Sequence, residues 1–403
     1  MLIPRLAFRN IFRQRRRSLF TALMMVGGFF LCSISLGLSE GSYNHLIDLF
    51  TRDHTGHVQI HRVGYLDRSS LYSTLDQVAA LGAQIENAQY VESWTPRVHS
   101  PALAFAGDKT TGVRLLGIDP QRESRTTRLA NKVDQGRFLS PEPERQVLLG
   151  AGIARLLGVG MGEQVALIGQ GADGSIANDL FTVVGQLGEG QAYERMNCYI
   201  HIETAQEFLA LGDRVHQLIL TLDRQNRART VAKALQTTIG PQLEAVPWQV
   251  VEQTFYRAMQ ADRAGTWWSI GIIILMVAVG VLNTVLMTVL ERTREFGVLR
   301  ALGTRPRTLF ALIVCETALL ALLSIGLGAL LSLGANYLLS LHGIPLPTPV
   351  EFSGMQFDRM RSAVSWTSLW KPALVTFAAA VGISLFPALR AARLTPVAAL
   401  GAN

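Results

Sequence analysis

Four apolar runs constrain this chain more than anything else in it: residues 18–39, 264–290, 308–341 and 372–389. Glu316 is the one charged residue they contain. A helix crosses a bilayer with about 20 apolar residues, and in lipid every backbone polar group must be satisfied within the segment. The runs are therefore predicted to be transmembrane helices, which makes the fold class membrane α-helical with four spans.

Orientation follows from the basic flanks. Arg15, Arg16 and Arg17 precede the first run and place the N-terminus in the cytoplasm. Four spans then return the C-terminus and the connector 291–307 to the same side. The opposite connector, 342–371, is less basic and rich in proline. Trp267 and Trp268 suit the outer headgroup level. In residues 1–17, Leu2, Ile3, Leu6, Ala7, Ile11 and Phe12 recur at helical spacing with Arg5, Arg9 and Arg13 between them, as in a helix lying on phospholipid headgroups. A cleaved signal peptide has an apolar core of about 7–15 residues. The run 19–38 is longer, so an uncleaved anchor is expected.

The expected map is thus an interfacial helix 1–17, spans at 18–42, 264–290, 308–341 and 372–389, a cytoplasmic connector 291–307, a periplasmic loop 342–371 and a cytoplasmic tail 390–403. A large periplasmic mixed α/β domain, 43–263, is inserted between helices 1 and 2. Strands are expected at 57–61, 112–118, 146–149, 164–168, 180–186, 198–202 and 217–222, each short, rich in Val, Ile or Leu and bounded by turn residues. Helices are expected at 75–87, 152–157, 204–211 and 227–239, and the arginine-rich patch 119–143 as loop. The net charge of +7 sits mostly in short flanks beside the spans, a membrane-orienting bias and not a nucleic-acid surface.

Several motifs carry little. No stretch fits GxxxxGK[ST], so the chain offers no phosphate-cradling loop. Gly169, Gly171 and Gly174 match GxGxxG, but a polar turn and another strand follow where a dinucleotide site needs a helix. His54, His57 and His61 have metal-like spacing without a carboxylate to complete a set, and surface histidines are the expectation. Cys198 is the lone cysteine of the soluble middle, so no disulfide framework is expected. Glu316 is a functional candidate by its depth in the third span. A single carboxylate makes a poor proton relay, and pairing with a nearby arginine at the interface is the favoured role. Gly27-Gly28 and Gly326-x-Gly328 are expected to let helices approach closely.

The stretch 291–303, ERTREFGVLRALG, resembles the signature of the FtsX-like permease family, which includes MacB and the lipoprotein-releasing LolC and LolE. Three segments agree: LAFRNIFRQRRRSLFTALMMVGG at the start, GRFLSPEPERQVLLGAGIARLLGVGMGEQV in the middle and FPALRAARLTPVAAL at the end. In the last, Pro387, Arg390, Ala391, Ala392, Pro396 and Ala399 stand at the places expected for the family. The resemblance implies a permease subunit of a mechanotransmission-type ABC transporter in the bacterial inner membrane, itself not an enzyme. ATP and Mg would be bound by a separate cytoplasmic ABC ATPase, with no cofactor in this chain. A second permease copy or a related permease would complete a dimer, with a periplasmic or lipoprotein partner outside and membrane lipids around it.

The same resemblance makes 291–307 a coupling helix gripped by the ATPase, with Glu291, Arg292, Arg294, Glu295, Phe296, Gly297, Leu299, Arg300, Ala301 and Gly303 as its coupling residues. Glu291, Arg294 and Glu295 can form i,i+3 or i,i+4 pairs, Phe296, Val298, Leu299 and Leu302 an apolar face, and Gly303 a stop. MacB carries its ATPase fused ahead of the spans, so the stand-alone layout here favours a Lol-like complex acting on lipoproteins or other amphipathic molecules. The alternative is an FtsX-like regulatory complex that activates a periplasmic hydrolase without transport. An ion-coupled carrier built on Glu316 is disfavoured, since carriers show paired repeats and broken helices.

Overall fold

The computed structural model describes residues 2–13, 15–188, 192–352 and 355–393. Pro396, Ala399 and the rest of the tail beyond residue 393 lie outside them. The chain divides into two compact units. The first comprises Met1–Tyr43, Met259–Pro345 and Arg359–Asn403, and the second Asn44–Ala258 and Leu346–Asp358.

The chain opens with α1 (Leu2–Arg13) and α2 (Arg15–Phe50), and a π-helical turn, Thr51–Thr55, ends the latter. The second unit then runs β1 (Val58–Arg62), α3 (Val78–Glu86), β2 (Val91–Ala106), β3 (Lys109–Ile118), α4 (Pro120–Thr126), β4 (Val133–Gly136), β5 (Gln146–Gly150) and α5 (Ala151–Leu157). It continues with β6 (Gln164–Gln170), β7 (Ile176–Leu187), β8 (Asn197–His201), α6 (Ile202–Phe208), β9 (Gln217–Leu222), α7 (Ala228–Gln236), β10 (Leu243–Pro247) and α8 (Trp248–Val251). The chain closes with α9 (Gln253–Glu291), α10 (Thr293–Ala301), α11 (Pro306–His342), β11 (Ile344–Phe352), β12 (Met355–Met360) and α12 (Thr367–Ala392).

In the second unit one mixed sheet has the order β10-β1-β9-β2-β3-β8-β5-β7-β4, with β6 bonded to both β2 and β7. The pairs β3–β8 and β5–β7 are parallel and the other pairs antiparallel. Strands β5, β8 and β9 are buried at every residue, as strands covered on both faces are, and each carries a short apolar centre. Leu116, Ile118, Leu129, Leu139, Leu148, Leu187 and Tyr199 pack into one core. The GxGxxG match is a hairpin turn between β6 and β7, where the Gly171 N–H donates to the Ser175 carbonyl at 2.9 Å.

Four helices are long and apolar enough to cross a membrane: α9, α11, α12 and the helix that begins at Arg15. They meet within the first unit around Met25, Val277, Val281, Ala321 and Ala380. Half of each small-residue seam serves this packing. A side chain at Gly28 would strike Val277, and one at Gly328 would strike Phe29, whereas Gly27 and Gly326 face open space. Along α11 from Thr317 onwards the buried side is small and largely polar: Thr317, Ala321, Ser324, Gly328, Ser332 and Asn336. The Asn336 amide oxygen accepts from Ser362 at 2.8 Å and its nitrogen donates to Ser33 at 3.4 Å.

Some expectations need correction. Residues 43–50 and 253–263 continue α2 and α9, because loss of hydropathy ends a span but only a cap or a breaker ends a helix. Ile47 and Phe50 remain buried there. The patch 119–143 is not loop throughout. Asp119 caps α4 by accepting from the N–H groups of Gln121 and Arg122, with Pro120 in the first turn, and β4 follows. The connector 342–371 holds the strand pair β11–β12, whose alternation is masked by Pro345, Pro347 and Pro349. A two-stranded ribbon is all edge and tolerates proline.

Candidate coupling site

The helix α10 is shorter than 291–307. Glu291 ends α9, Arg292 caps α10, and Pro306 and Arg307 already belong to α11. The local chemistry explains the stop and restart. Gly303 has φ +92°, a left-handed conformation that glycine adopts without strain. Its N–H donates to the Arg300 carbonyl at 3.1 Å, and the Thr304 N–H reaches back to Leu299 at 3.0 Å. These two bonds form a Schellman cap. Arg305 is then extended and Pro306 occupies the first turn of α11, where its missing N–H costs nothing.

The root of α10 is bound to four other elements. Phe296, 1% exposed, packs with Val289 of α9, Leu309 and Ile313 of α11 and Ala388 and Ala391 of α12. The guanidinium of Arg292 donates to Glu295 at 3.0 Å and to Glu316 of α11 at 3.4 Å. Asn10 of α1 also hydrogen-bonds Glu316. Arg13 of α1 lies 3.5 Å from Glu295, and Arg17 of α2 forks onto both carboxylate oxygens of Glu291. Arg17, Thr21, Thr288, Arg292, Ile313 and Glu316 line a pocket between these elements. Glu316 therefore has the arginine partner expected of it.

The expected intrahelical pairing is largely replaced by pairing between elements. Glu291 turns to Arg17, Glu295 to Arg13 and Arg292, and Arg294 is exposed. The reason is geometric: Glu291 and Arg294 belong to different helices, so no i,i+3 register links them. Nor is the apolar set one face. Phe296 and Gly297 are buried, whereas Val298, Leu299 and Leu302 are 48%, 37% and 79% exposed. Ala301 and Gly303 are exposed too, and Arg300 is half-buried with its Nε lacking a hydrogen-bond partner among the described residues. Sequence reasoning missed Asn10, Arg13 and Arg17 as part of this site. Their signal was available: opposite charges on Arg13, Arg17, Glu291 and Glu295 are predicted at one membrane face.

The histidines of the second unit go to separate partners. The His54 Nδ1 lies 2.7 Å from a buried Glu194 oxygen, His57 accepts from the Leu222 N–H at 3.1 Å, and His61 lies 3.2 Å from Glu244. His57 immediately precedes β1, and His61 lies within it. All three are buried rather than at the surface. Burial would raise the Glu194 carboxyl, but hydrogen bonds from His54 and Tyr199 and the charge of Lys132 hold it at about 2. Burial, aided by Arg52, lowers His57 to about 4. Among the described residues no group of three or more His, Cys, Asp or Glu could hold a metal ion.

Residues 268–396, which contain α10 and its root, match the FtsX-like permease C-terminal family. The lipoprotein-releasing system transmembrane protein LolC of Neisseria meningitidis is 28% identical over 247 residues, 58% of each chain. LolE of Haemophilus influenzae is 23% identical over 341 residues, 80% of each chain. The macrolide export ATP-binding/permease protein MacB of Aggregatibacter actinomycetemcomitans is 24% identical over 344 residues, 79% of this chain and 50% of its own. The chain thus spans little more than half the length of the meningococcal LolC. Residues 268–396 thus match the FtsX-like permease C-terminal family, and the chain as a whole is similar to permeases of the MacB, LolC and LolE type.

Proposed function

We propose that the chain is the permease subunit of a mechanotransmission-type ABC transporter of the bacterial inner membrane, with both termini cytoplasmic and the second unit periplasmic between the first two spans. α10 is its coupling helix. A separate cytoplasmic ABC ATPase binds ATP and Mg and grips α10, and a second permease copy or a related permease completes the dimer. The relatives named for lipoprotein release support lipoproteins, or other amphipathic molecules of the membrane, as the substrate.

The observation that carries this reading is the two-sided build of α10. Phe296 and Arg292 root it in α9, α11 and α12, while Val298, Leu299 and Leu302 stand in solvent. Three adjoining exposed apolar side chains beside Arg294, Arg305 and Arg307 are what a partner's cleft would cover. A helix rooted in three spans moves those spans when its free side is pushed.

The double change Leu299→Asp and Leu302→Asp should reduce ATPase co-purification at least tenfold while membrane insertion is unchanged. The milder pair Glu295→Ala and Arg300→Ala should retain association but uncouple hydrolysis from substrate release. Undiminished association and activity in the leucine double variant would overturn the coupling role.

A further inference from the structure

A second pocket of the first unit lies at the far ends of α2, α9 and α12. Glu40 follows Arg17 by 23 residues on α2, about 35 Å of helix, close to the thickness of a bilayer's apolar core. Trp268, Trp366 and Trp370 are 79%, 76% and 41% exposed at the same end, as residues of an interfacial aromatic belt are. Here Glu40, Arg263, Thr266, Trp267, Thr367 and Lys371 line a cavity of about 300 Å³, at the lower edge of small-ligand sites.

The charges in it are unbalanced. The Arg263 guanidinium lies 5.6 Å from the Tyr43 ring centre and the Lys371 ammonium 5.9 Å from that of Trp267. Neither has a carboxylate within ion-pair distance among the described residues. Asp262, beside Arg263, is engaged by the Tyr43 hydroxyl at 2.5 Å. One oxygen of Glu40 accepts from Ser365 at 2.5 Å and from Thr367 at 2.6 Å, and its other oxygen has no hydrogen bond among the described residues. Two unmatched cations and a half-engaged carboxylate, in one cavity at headgroup depth, call for a ligand with a negative and a positive end.

We propose that this pocket binds the phosphoethanolamine headgroup of a membrane phospholipid, with the phosphate against Arg263 and Lys371 and the ammonium against Glu40. Choline carries no N–H for Glu40, and glycerol carries no charge for it, so both headgroups fit less well. The site is independent of ATPase coupling.

The test is native mass spectrometry of the full-length chain released from detergent with equal amounts of phosphatidylethanolamine, phosphatidylcholine and phosphatidylglycerol of matched acyl chains. Phosphatidylethanolamine should be retained about tenfold over the others, the equivalent of one charge-assisted hydrogen bond. Arg263→Gln with Lys371→Gln should abolish its retention, and Glu40→Gln should remove the preference over phosphatidylcholine while leaving binding. Lys371→Arg should preserve binding, and unchanged size-exclusion profiles separate lost recognition from lost folding. Equal retention of the three lipids, or full retention by the double variant, would overturn the proposal. Soluble glycerophosphoethanolamine binding as tightly as the lipid would overturn its assignment to the membrane.

Discussion

Two ion-pair systems among the described residues are built from the same side-chain types, arginine and glutamate, in opposite surroundings. In the second unit, Arg97 and Glu123 pair with side chains 7% and 0% exposed. Thr95 and Thr127 donate to the same carboxylate at 3.2 and 2.7 Å, and Arg97 also donates to the His54 carbonyl at 2.8 Å. At the root of α10, Arg13 and Glu295 are 73% and 45% exposed and Arg17 and Glu291 36% and 40%. A buried pair must be fully satisfied and cannot rearrange cheaply, because each lost partner leaves a charge away from water. An exposed pair is worth little and can exchange partners with solvent at small cost. The second unit is therefore held in one geometry by its charges, whereas the root of α10 is a joint whose exposed charges permit adjustment.

The largest expected effect comes from breaking a buried pair. Glu123→Ala strands Arg97 in the core and should cost about 3–5 kcal/mol, read as lost hydrogen-exchange protection of β2 in the full-length protein. Unchanged β2 protection would remove one side of the comparison.

Acid should act next. Burial, with the charge of Arg97, lowers His99 to about 3, and His57 stands at about 4. Both remain neutral in the fold while the unfolded chain takes up protons below pH ~6.5. The unfolded state then binds more protons, so stability falls with pH from ~6.5 downwards, by about 2 kcal/mol for each histidine at pH 5. Glu194 acts in the same direction at lower pH, its contribution being lost as pH falls from the usual carboxylate range through about 2. A melting temperature of the second unit that is flat from pH 7 to 5 would contradict the burial argument.

Between the extremes stands Arg292, whose side chain is 11% exposed and which has two carboxylate partners. Glu316→Gln leaves Glu295 in place and should cost about 1–2 kcal/mol in thermal unfolding. Arg17→Ala should cost less than ~1 kcal/mol. If Arg17→Ala proved as damaging as Glu123→Ala, the joint would be a fixed brace and the contrast would collapse.

How much was legible along the chain depended on whether the cause was local. The seven expected strands lie within a few residues of β1, β3, β5, β6, β7, β8 and β9 because alternation and turn residues are neighbours in sequence. Strand β2, 16 residues long, escaped notice. Pro96, Arg97, His99 and Pro101 break its apolar pattern, and Arg97 is acceptable inside only because Glu123 arrives from α4. Around α10, Gly303 marked the stop and Glu316 was expected to meet an arginine, but the restart at Pro306 and the identity of the partners, Arg292 and Asn10, did not show.

The sequence by itself determined the apolar runs, the glycine stop after α10, and the hairpin that replaced a nucleotide loop. These rest on hydropathy and backbone stereochemistry, which act over a few residues. Only the tertiary structure decided which charges are partners, that Phe296 faces inward while Leu302 faces out, and that Glu40, Arg263 and Lys371 line one cavity. Those outcomes depend on residues tens to hundreds of positions apart being brought within a few ångströms, and no local pattern encodes that distance.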